Sequence, residues 1–271
     1  MSVALELAIE GIGVCAPGMA DWSAARDALR SMNRPDTSAC TRPAPALLSP
    51  NERRRTPDSV LLALAAAEQA CAMAGQAPRE LPNVFASAYG DLAINDYLCA
   101  VLARTPLEVS PTKFHNSVHN APAGYWTIAA GCMASSTALS AGGATFAAGL
   151  LEAAAIVASE ASPVLYVAFD VAAAGPLAAI IACDVPFGVA FVLAPARPEP
   201  LARLRLQFRS DAAAELAPLP ASLHALRERN PAAASLPLLA ALARSEAGGF
   251  DFALHADQDL PASTLHLEIS F

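Results

Sequence analysis

Charged residues are scarce in this chain, and their scarcity excludes several classes of function. Only 15% of the 271 residues are charged, 55% are hydrophobic, and the formal net charge is −8. Nucleic-acid binding and attachment to an anionic membrane both require a basic face, which this acidic composition does not favour. Such a high content of hydrophobic residues indicates a protein that buries much of its chain or is covered by a partner. The length allows one large or two small domains.

The sequence also lacks the motifs of most common catalytic and metal sites. It has no Gly-x-Ser-x-Gly frame, few paired carboxylates and no P-loop lysine. The six cysteines form no Cys-x-x-Cys pair, which favours reduced core thiols in a cytoplasmic protein. His115 and His119 have the spacing of a zinc-binding His-Glu-x-x-His helix, but Asn116 replaces the glutamate. We therefore expect no metal and no cofactor.

Two apolar stretches raise the question of a membrane. The first, near the N-terminus, follows no basic residue and contains Glu6 and Glu10, so we expect no secretory signal. The second, residues 138–159, is interrupted only by Glu152. Its apolarity comes mainly from alanine and glycine, which contribute little to insertion. A buried core helix is the better interpretation, and we expect no membrane insertion.

Strand and helix patterns alternate along the chain. The patterns predict strands at 5–14, 84–89, 125–129, 164–169, 189–193, 201–208, 250–255 and 264–271, and helices at 59–75, 94–102, 221–229 and 232–244. The strand at 201–208 alternates apolar and charged residues, so we expect it to have one solvated face. This interleaving predicts a layered α/β fold.

A glycine pattern follows the first predicted strand. Gly11-x-Gly13-x-x-Ala16 fits a dinucleotide-binding fingerprint. However, Pro17 and Gly18 prolong the turn where a phosphate-binding helix should begin, and Asp27 is poorly placed as the ribose acid. We interpret the glycines as a tight structural turn and keep nucleotide binding as an alternative.

Residues 114–152 contain the pattern that is most informative about function. An apolar run ends at Ala141-Gly-Gly-Ala144, and an alanine-rich helix follows. A strand that breaks at small residues before a buried helix is where many α/β enzymes hold a nucleophile. Cys132, Ser135 and Ser136 are the nearby candidates, but no catalytic frame surrounds them. We expect Cys132 to be a small buried hydrophobe, and an active acyltransferase or ketoacyl synthase that uses Cys132 or a serine remains an alternative.

The same stretch resembles β-ketoacyl synthases, the thiolase-fold condensing enzymes of fatty-acid and polyketide synthesis. That family carries Asn-x-x-Ala-Gly, an isolated glycine, and a Thr-Ala-Cys-x-Ser turn that opens the nucleophile helix. Here Asn120, Ala123 and Gly124 match the first motif, and Gly131 matches the isolated glycine.

Other segments follow the family order over roughly the first 210 residues. Residues 9–18 resemble the opening strand and turn, and the helix at 59–75 resembles an early helix that ends in Ala-Gly. Ser110-Pro111 precedes the Asn motif as in the family. The resemblance implies a thiolase-like layered fold, mainly the N-terminal half of a condensing enzyme with a truncated second half. We predict an N-terminal domain over 1–210 and a short C-terminal extension over 211–271.

The departures from the family concern the catalytic residues. In gapless register, Gly143 occupies the position of the catalytic cysteine, and Thr145 that of the following serine. The family's two catalytic histidines belong to its second half, and His255-Ala-Asp257 lacks the context to replace one. The resemblance therefore implies that no catalytic residue is present.

A family member without its nucleophile resembles a chain-length factor, most closely the partner subunits of bacterial aryl-polyene clusters. This implies a heterodimer with a full-length ketoacyl synthase, within an acyltransferase-class complex that an acyl carrier protein serves. The resemblance places the nucleophile region near the subunit interface and the acyl tunnel. Tyr125, Trp126, Met133 and Phe146 are our candidates for lining either one, with ordinary core packing as the alternative for each.

Overall fold

Helices cover a single mixed β-sheet. The computed structural model describes residues 4–31, 42–210, 217, 219–254 and 263–271. The strands in these residues are β1 (Ala4–Cys15), β2 (Asn83–Ala86), β3 (Ser136–Leu139), β4 (Val164–Asp170), β5 (Phe187–Pro195), β6 (Ala202–Ser210), β7 (Gly248–Ala253) and β8 (Ser263–Ser270). The helices are α1 (Trp22–Ser31), α2 (Pro50–Arg55), α3 (Asp58–Ala74), α4 (Leu92–Arg104), α5 (Pro111–His115), α6 (Ala121–Ala130), α7 (Thr145–Glu160), α8 (Ala221–Glu228) and α9 (Leu236–Arg244).

The strand order is β3-β2-β4-β5-β1-β6-β8-β7. Strands β2, β3 and β4 are parallel, and the other neighbouring pairs are antiparallel. The helical segment α4–α6 connects β2 to β3, and α7 connects β3 to β4, as parallel strands require. The carboxyl ends of β2, β3 and β4 therefore lie side by side at the same end of these strands. The candidate site is at that end.

Each face of the sheet carries its own hydrophobic core. Helices α1, α7 and α9 contribute to the core on one face, whereas α3 and α6 contribute to the core on the other. All seven residues of β4 are buried because both of its faces are covered. Strand β6 alternates buried and exposed residues from Ala202 to Leu206, which confirms its predicted solvated face. The mixed α/β architecture predicted from the sequence is thus confirmed.

Gly11 and Gly13 lie inside β1, so their interpretation as a tight turn was wrong. A Cβ atom on Gly11 would lie 2.0 Å from the carbonyl oxygen of Ala70, and one on Gly13 would lie 1.9 Å from that of Ala66. The glycines therefore let α3 pack directly on the backbone of β1. The carbonyls of α3 fill the space that a dinucleotide phosphate would need, so the arrangement does not fit the nucleotide-binding alternative.

The segment predicted as a strand at 125–129 is helical, which is the second correction. It lies within α6, which has Pro122 in its first turn and ends at Gly131 in the left-handed conformation, with φ of 63°. Proline early in a helix and glycine just after it are typical helix boundaries. One side of α6 faces α3, whereas Ile128 on the other side is 84% exposed.

The C-terminal segment continues the same sheet and is anchored by Asn230. The Asn230 amide donates hydrogen bonds to the carbonyl oxygens of Asp170 at 2.9 Å and Val185 at 2.7 Å, and its oxygen accepts one from the Ala232 amide at 2.8 Å. The side chain is buried, so all three bonds are shielded from water. The division into domains at residue 210 remains a prediction.

Candidate functional site

The candidate site is the turn between β3 and α7. Gly142 has φ of +54°, a conformation that favours glycine, and begins a 3₁₀ turn that spans Gly142–Ala144. The buried Thr145 hydroxyl donates to the Gly142 carbonyl at 2.7 Å and accepts from the Ala141 amide at 2.9 Å. Ser140 ties the turn to the next loop because its hydroxyl donates to the Ala88 carbonyl at 3.0 Å. Three side-chain hydrogen bonds thus hold the turn, although its residues Gly142–Ala144 carry no reactive side chain.

Strand β4 fixes the start of α7 behind this turn. The hydroxyl of Tyr166 donates to the Phe146 carbonyl at 2.6 Å inside the first turn of the helix. Complete burial raises the pKa of Tyr166 well above its usual value, so the hydroxyl remains a donor. Gly149 leaves room for the tyrosine ring, since a Cβ there would lie 2.6 Å from Tyr166 Cε2.

A small cavity opens beside Gly143. Its volume is about 130 Å³, and its walls come from the turn, α7, α8, α9 and β7. A Cβ on Gly143 would meet no atom within 4 Å, so the turn has space for a side chain. The charged residues along the wall are Arg227 and Asp251, and the described lining contains no thiol, hydroxyl or imidazole. The described lining therefore offers no sulfur or hydroxyl nucleophile, and its one carboxylate, Asp251, is paired with His266 at 2.6 Å.

Cys132 lies at the opposite end of β3. Its thiol is buried, donates to the Leu81 carbonyl at 3.4 Å, and lies 3.8 Å from the Asn83 amide nitrogen. These partners flank the start of β2, whereas Gly143 follows the end of β3. The four residues of β3 span roughly 10 Å at the usual rise of a strand. Cys132 and Gly143 therefore lie at opposite ends of β3.

Comparison with known proteins assigns the family. The family model described as "Beta-ketoacyl synthase, N-terminal domain" matches residues 21–249. The chain belongs to the β-ketoacyl synthase family. No curated protein matches significantly.

Solved structures share the thiolase-like ketosynthase fold. A ketosynthase (ApeO) in complex with its chain length factor (ApeC) from Xenorhabdus doucetiae is 24% identical, with a TM-score of 0.70, and the alignment covers 97% of this chain and 99% of that chain. The ishigamide ketosynthase/chain length factor is 16% identical, with a TM-score of 0.70 and coverage of 98% and 99%. The complex AntDE:AntF, a type II acyl-carrier protein with its ketosynthase, is 12% identical, with a TM-score of 0.70 and coverage of 99% and 100%. The predicted fold class is confirmed.

The four aromatic and methionine candidates occupy different environments in this ketoacyl-synthase fold. Trp126 and Phe146 are completely buried in the two cores of the chain itself. Tyr125 is half-buried, and its hydroxyl donates to the Asn116 oxygen at 3.1 Å. Met133 is 95% exposed, between α6 and β3. Among the four, Met133 is thus the side chain that the chain leaves open to a partner.

The two histidines of the zinc-like motif do not share a helix. His115 is exposed at the end of α5, whereas His119 follows the helix, and its Nε2 lies 2.9 Å from the Ser87 carbonyl. The described residues contain no cluster of three metal-ligating side chains. His255-Ala-Asp257 lies outside the described residues.

Asp170 has a structural role that no sequence motif indicated. Its buried carboxylate accepts hydrogen bonds from the Ser87 hydroxyl at 2.8 Å, the Ala88 amide at 3.2 Å and the Tyr89 amide at 3.1 Å. Burial raises the pKa of Asp170 to about 6, although these hydrogen bonds act in the opposite direction. The carboxylate therefore holds the loop after β2, to which Ser140 of the turn is also bonded. A single aspartate at the end of an apolar strand is the signal that the sequence offered.

The apolar stretch at 138–159 is mostly α7, a core helix. By length and composition, the helical run Gly142–Glu160 is long and apolar enough to cross a membrane, and half of it is buried. Phe146, Leu150 and Val157 face the sheet, which accounts for their apolar character. Cys71 and Cys183 are buried, as expected of core thiols, and burial raises the pKa of each to about 12, whereas Cys99 is exposed.

Proposed function

We propose that this chain is a non-catalytic, chain-length-factor type subunit that pairs with a full-length, active ketoacyl synthase. The pair would act in polyketide, aryl-polyene or fatty-acid-like chain synthesis in the cytoplasm. The observation that carries this proposal is the turn between β3 and α7, which has glycine at 143, where the resemblance places the nucleophile. Thioester formation needs a sulfur atom, and condensation needs a base beside it. No sulfur atom lines the described cavity, and the one carboxylate there, Asp251, is bonded to His266 at 2.6 Å.

The names of the similar structures support a partner of this kind. Two of them contain a ketosynthase together with a chain length factor, and the third contains an acyl-carrier protein. Their alignments span nearly the whole of both chains, so the likeness extends beyond a shared motif. We infer that the acyl carrier protein serves this chain through the complex with the synthase.

The free edge of the sheet at β3 is the surface that we assign to the synthase. Within the described residues, β3 pairs only with β2, so its outer edge has unpaired backbone groups. An edge of this kind favours pairing with another chain. Next to it, Ile128 is 84% and Met133 is 95% exposed. Exposed large apolar side chains beside an open strand favour a protein partner.

Co-expression with the synthase tests this assignment. We expect a 1:1 complex in size-exclusion chromatography with light scattering. The double variant Ile128→Glu/Met133→Glu should raise the dissociation constant of the complex about 30-fold or more. The loss of apolar contacts at the centre of an interface costs about 2 kcal/mol. The control is Leu201→Glu, another exposed apolar residue, at the start of β6. A chain that remains a stable monomer beside the synthase would refute the proposal.

The catalytic alternative, an acyltransferase that uses Cys132, has less support. Its thiol is buried and lies at the amino end of β3, away from the cavity at Gly143. Incubation with an acyl-carrier thioester followed by intact-mass analysis decides between the two. An adduct that disappears in Cys132→Ala would favour the alternative.

A further inference from the structure

A second, much larger cavity lies on the α3 side of the sheet. It has a volume of about 1270 Å³ and forms a groove bounded by the end of β1, α2, α3, α4 and α5. None of its lining residues lines the cavity at Gly143. The groove is larger than the 300–1,000 Å³ typical of pockets for small ligands. It can therefore hold an extended molecule.

The three carboxylates that line the groove all have partners, one of them a cation and the others neutral donors. Asp58 forms an ion pair with Arg42 at 2.7 Å. Glu68 accepts hydrogen bonds from the amides of Ala46 at 2.8 Å and Leu47 at 2.6 Å. Asp91 caps α4 and accepts from the Ser59 hydroxyl at 2.7 Å. These acids serve the fold and leave little capacity to bind a cation.

The remaining cations of the groove are not neutralised. Arg54, Arg55 and Lys113 line it without a carboxylate partner in the described part of the chain. Arg54 bonds only to the neutral side chain of Asn51, and Lys113 lies 5.9 Å from the ring centre of Tyr97. Lys113 is the single lysine of an acidic chain with net charge −8. The lining thus has four cations against three carboxylates, and Arg54, Arg55 and Lys113 are the cations left to meet an anion.

The floor of the groove is apolar. Leu62 from α3, Ile94 from α4 and Val171 after β4 contribute to it and are nearly buried. Alanines such as Ala65 and Ala93 widen it, because their side chains are short. A ligand that matches this groove has an anionic head for the arginines and lysine and an apolar chain for the floor.

We propose that this groove binds a long-chain anionic amphiphile, with its carboxylate or phosphate head at Arg55 and Lys113 and its alkyl chain along the floor. This site is separate from the turn at Gly143 and from the β3 edge, so the proposal does not depend on the proposed function. Because the cations are exposed at the rim, the ligand can enter directly from solvent.

Calorimetric titration of the full chain, alone or in its synthase complex, tests the proposal. We expect dodecanoate, kept below its micelle concentration, to bind this chain at one site. Dodecyl phosphate in a second arm shows whether the head site also takes a phosphate. Dodecanol lacks the charge and acetate lacks the chain, so both should bind at least tenfold more weakly.

Variants locate the binding. Arg55→Ala/Lys113→Ala should weaken dodecanoate binding about tenfold, since two partly solvated charge contacts are lost. Ala93→Trp should block the groove. The controls are Arg104→Ala and Ala100→Trp, exposed positions of α4 outside the groove. Equal binding of dodecanol, absence of saturable binding, or affinity unchanged in both groove variants would each overturn the proposal.

Discussion

Gly149→Ala tests whether α7 and the Gly143 turn are held as tightly as the contacts indicate. The new Cβ would lie 2.6 Å from Tyr166 Cε2 and 2.9 Å from the Ala86 Cβ, well inside normal contact distance. The tyrosine cannot easily yield, because its hydroxyl bonds to Phe146 and its ring stacks on Phe191 at 6.5 Å. Either the ring or the helix must move by about 1 Å, and such overpacking costs about 1–3 kcal/mol.

Gly124→Ala is the matched control for this variant. Gly124 also lies inside a helix, α6, but a Cβ there would meet no atom within 4 Å. Alanine is favoured over glycine in both helices by about 1 kcal/mol. The difference in unfolding free energy between the two variants therefore measures the cost of the steric clash at Gly149.

We expect the free energy of unfolding of Gly149→Ala to be about 1–3 kcal/mol below that of Gly124→Ala. Thermal unfolding followed by circular dichroism should then show a midpoint lower by roughly 2–5 °C. Equal midpoints would refute the inference that Gly149 and Tyr166 lock the helix.

Three further variants test the other parts of the site. Gly143→Cys should fold normally, because the turn has room for the side chain, yet give no condensation product with acyl and malonyl thioesters. Asn230→Ala should lower the free energy of unfolding in urea by about 2–4 kcal/mol, because it removes three buried hydrogen bonds. The pKa of Asp170 is raised to about 6 when folded, against 3.8 as its ordinary value, so its ionisation opposes folding. Its contribution should therefore decline by up to about 3 kcal/mol as the pH rises from 4 to 7. The measurement is the difference in unfolding free energy between the wild type and Asp170→Asn, and a difference that does not change with pH contradicts the assignment.

Most of the fold could be predicted from the sequence, because the hydrophobic periodicity and the residues at the ends of each element indicate the same helices and strands. Helix α3 was predicted to within a residue, and Gly75 ends it in the left-handed conformation, with φ of 64°. Strand β6 was predicted from its alternation of apolar and charged residues. Local pattern sufficed in both cases.

The failures have a physical cause in tertiary packing. Residues 125–129 are apolar and β-like in composition, but Pro122 and Gly131 bound a helix that packs on α3. Gly11 and Gly13 fit a turn locally, and only the approach of α3 shows that they serve packing. The environments of Trp126 and Phe146 likewise depend on distant partners. The groove and the bonds of Asp170 join residues far apart in the chain, so no local pattern indicates them.

The most direct test of the central claim is the location of the acyl group in the complex. The purified pair is incubated with an acyl-carrier thioester, and the intact mass of each subunit is measured. We predict one acyl adduct on the synthase and none on this chain, because Gly143 offers no sulfur and Cys132 lies at the opposite end of β3. A stoichiometric acyl adduct on this chain would contradict the account.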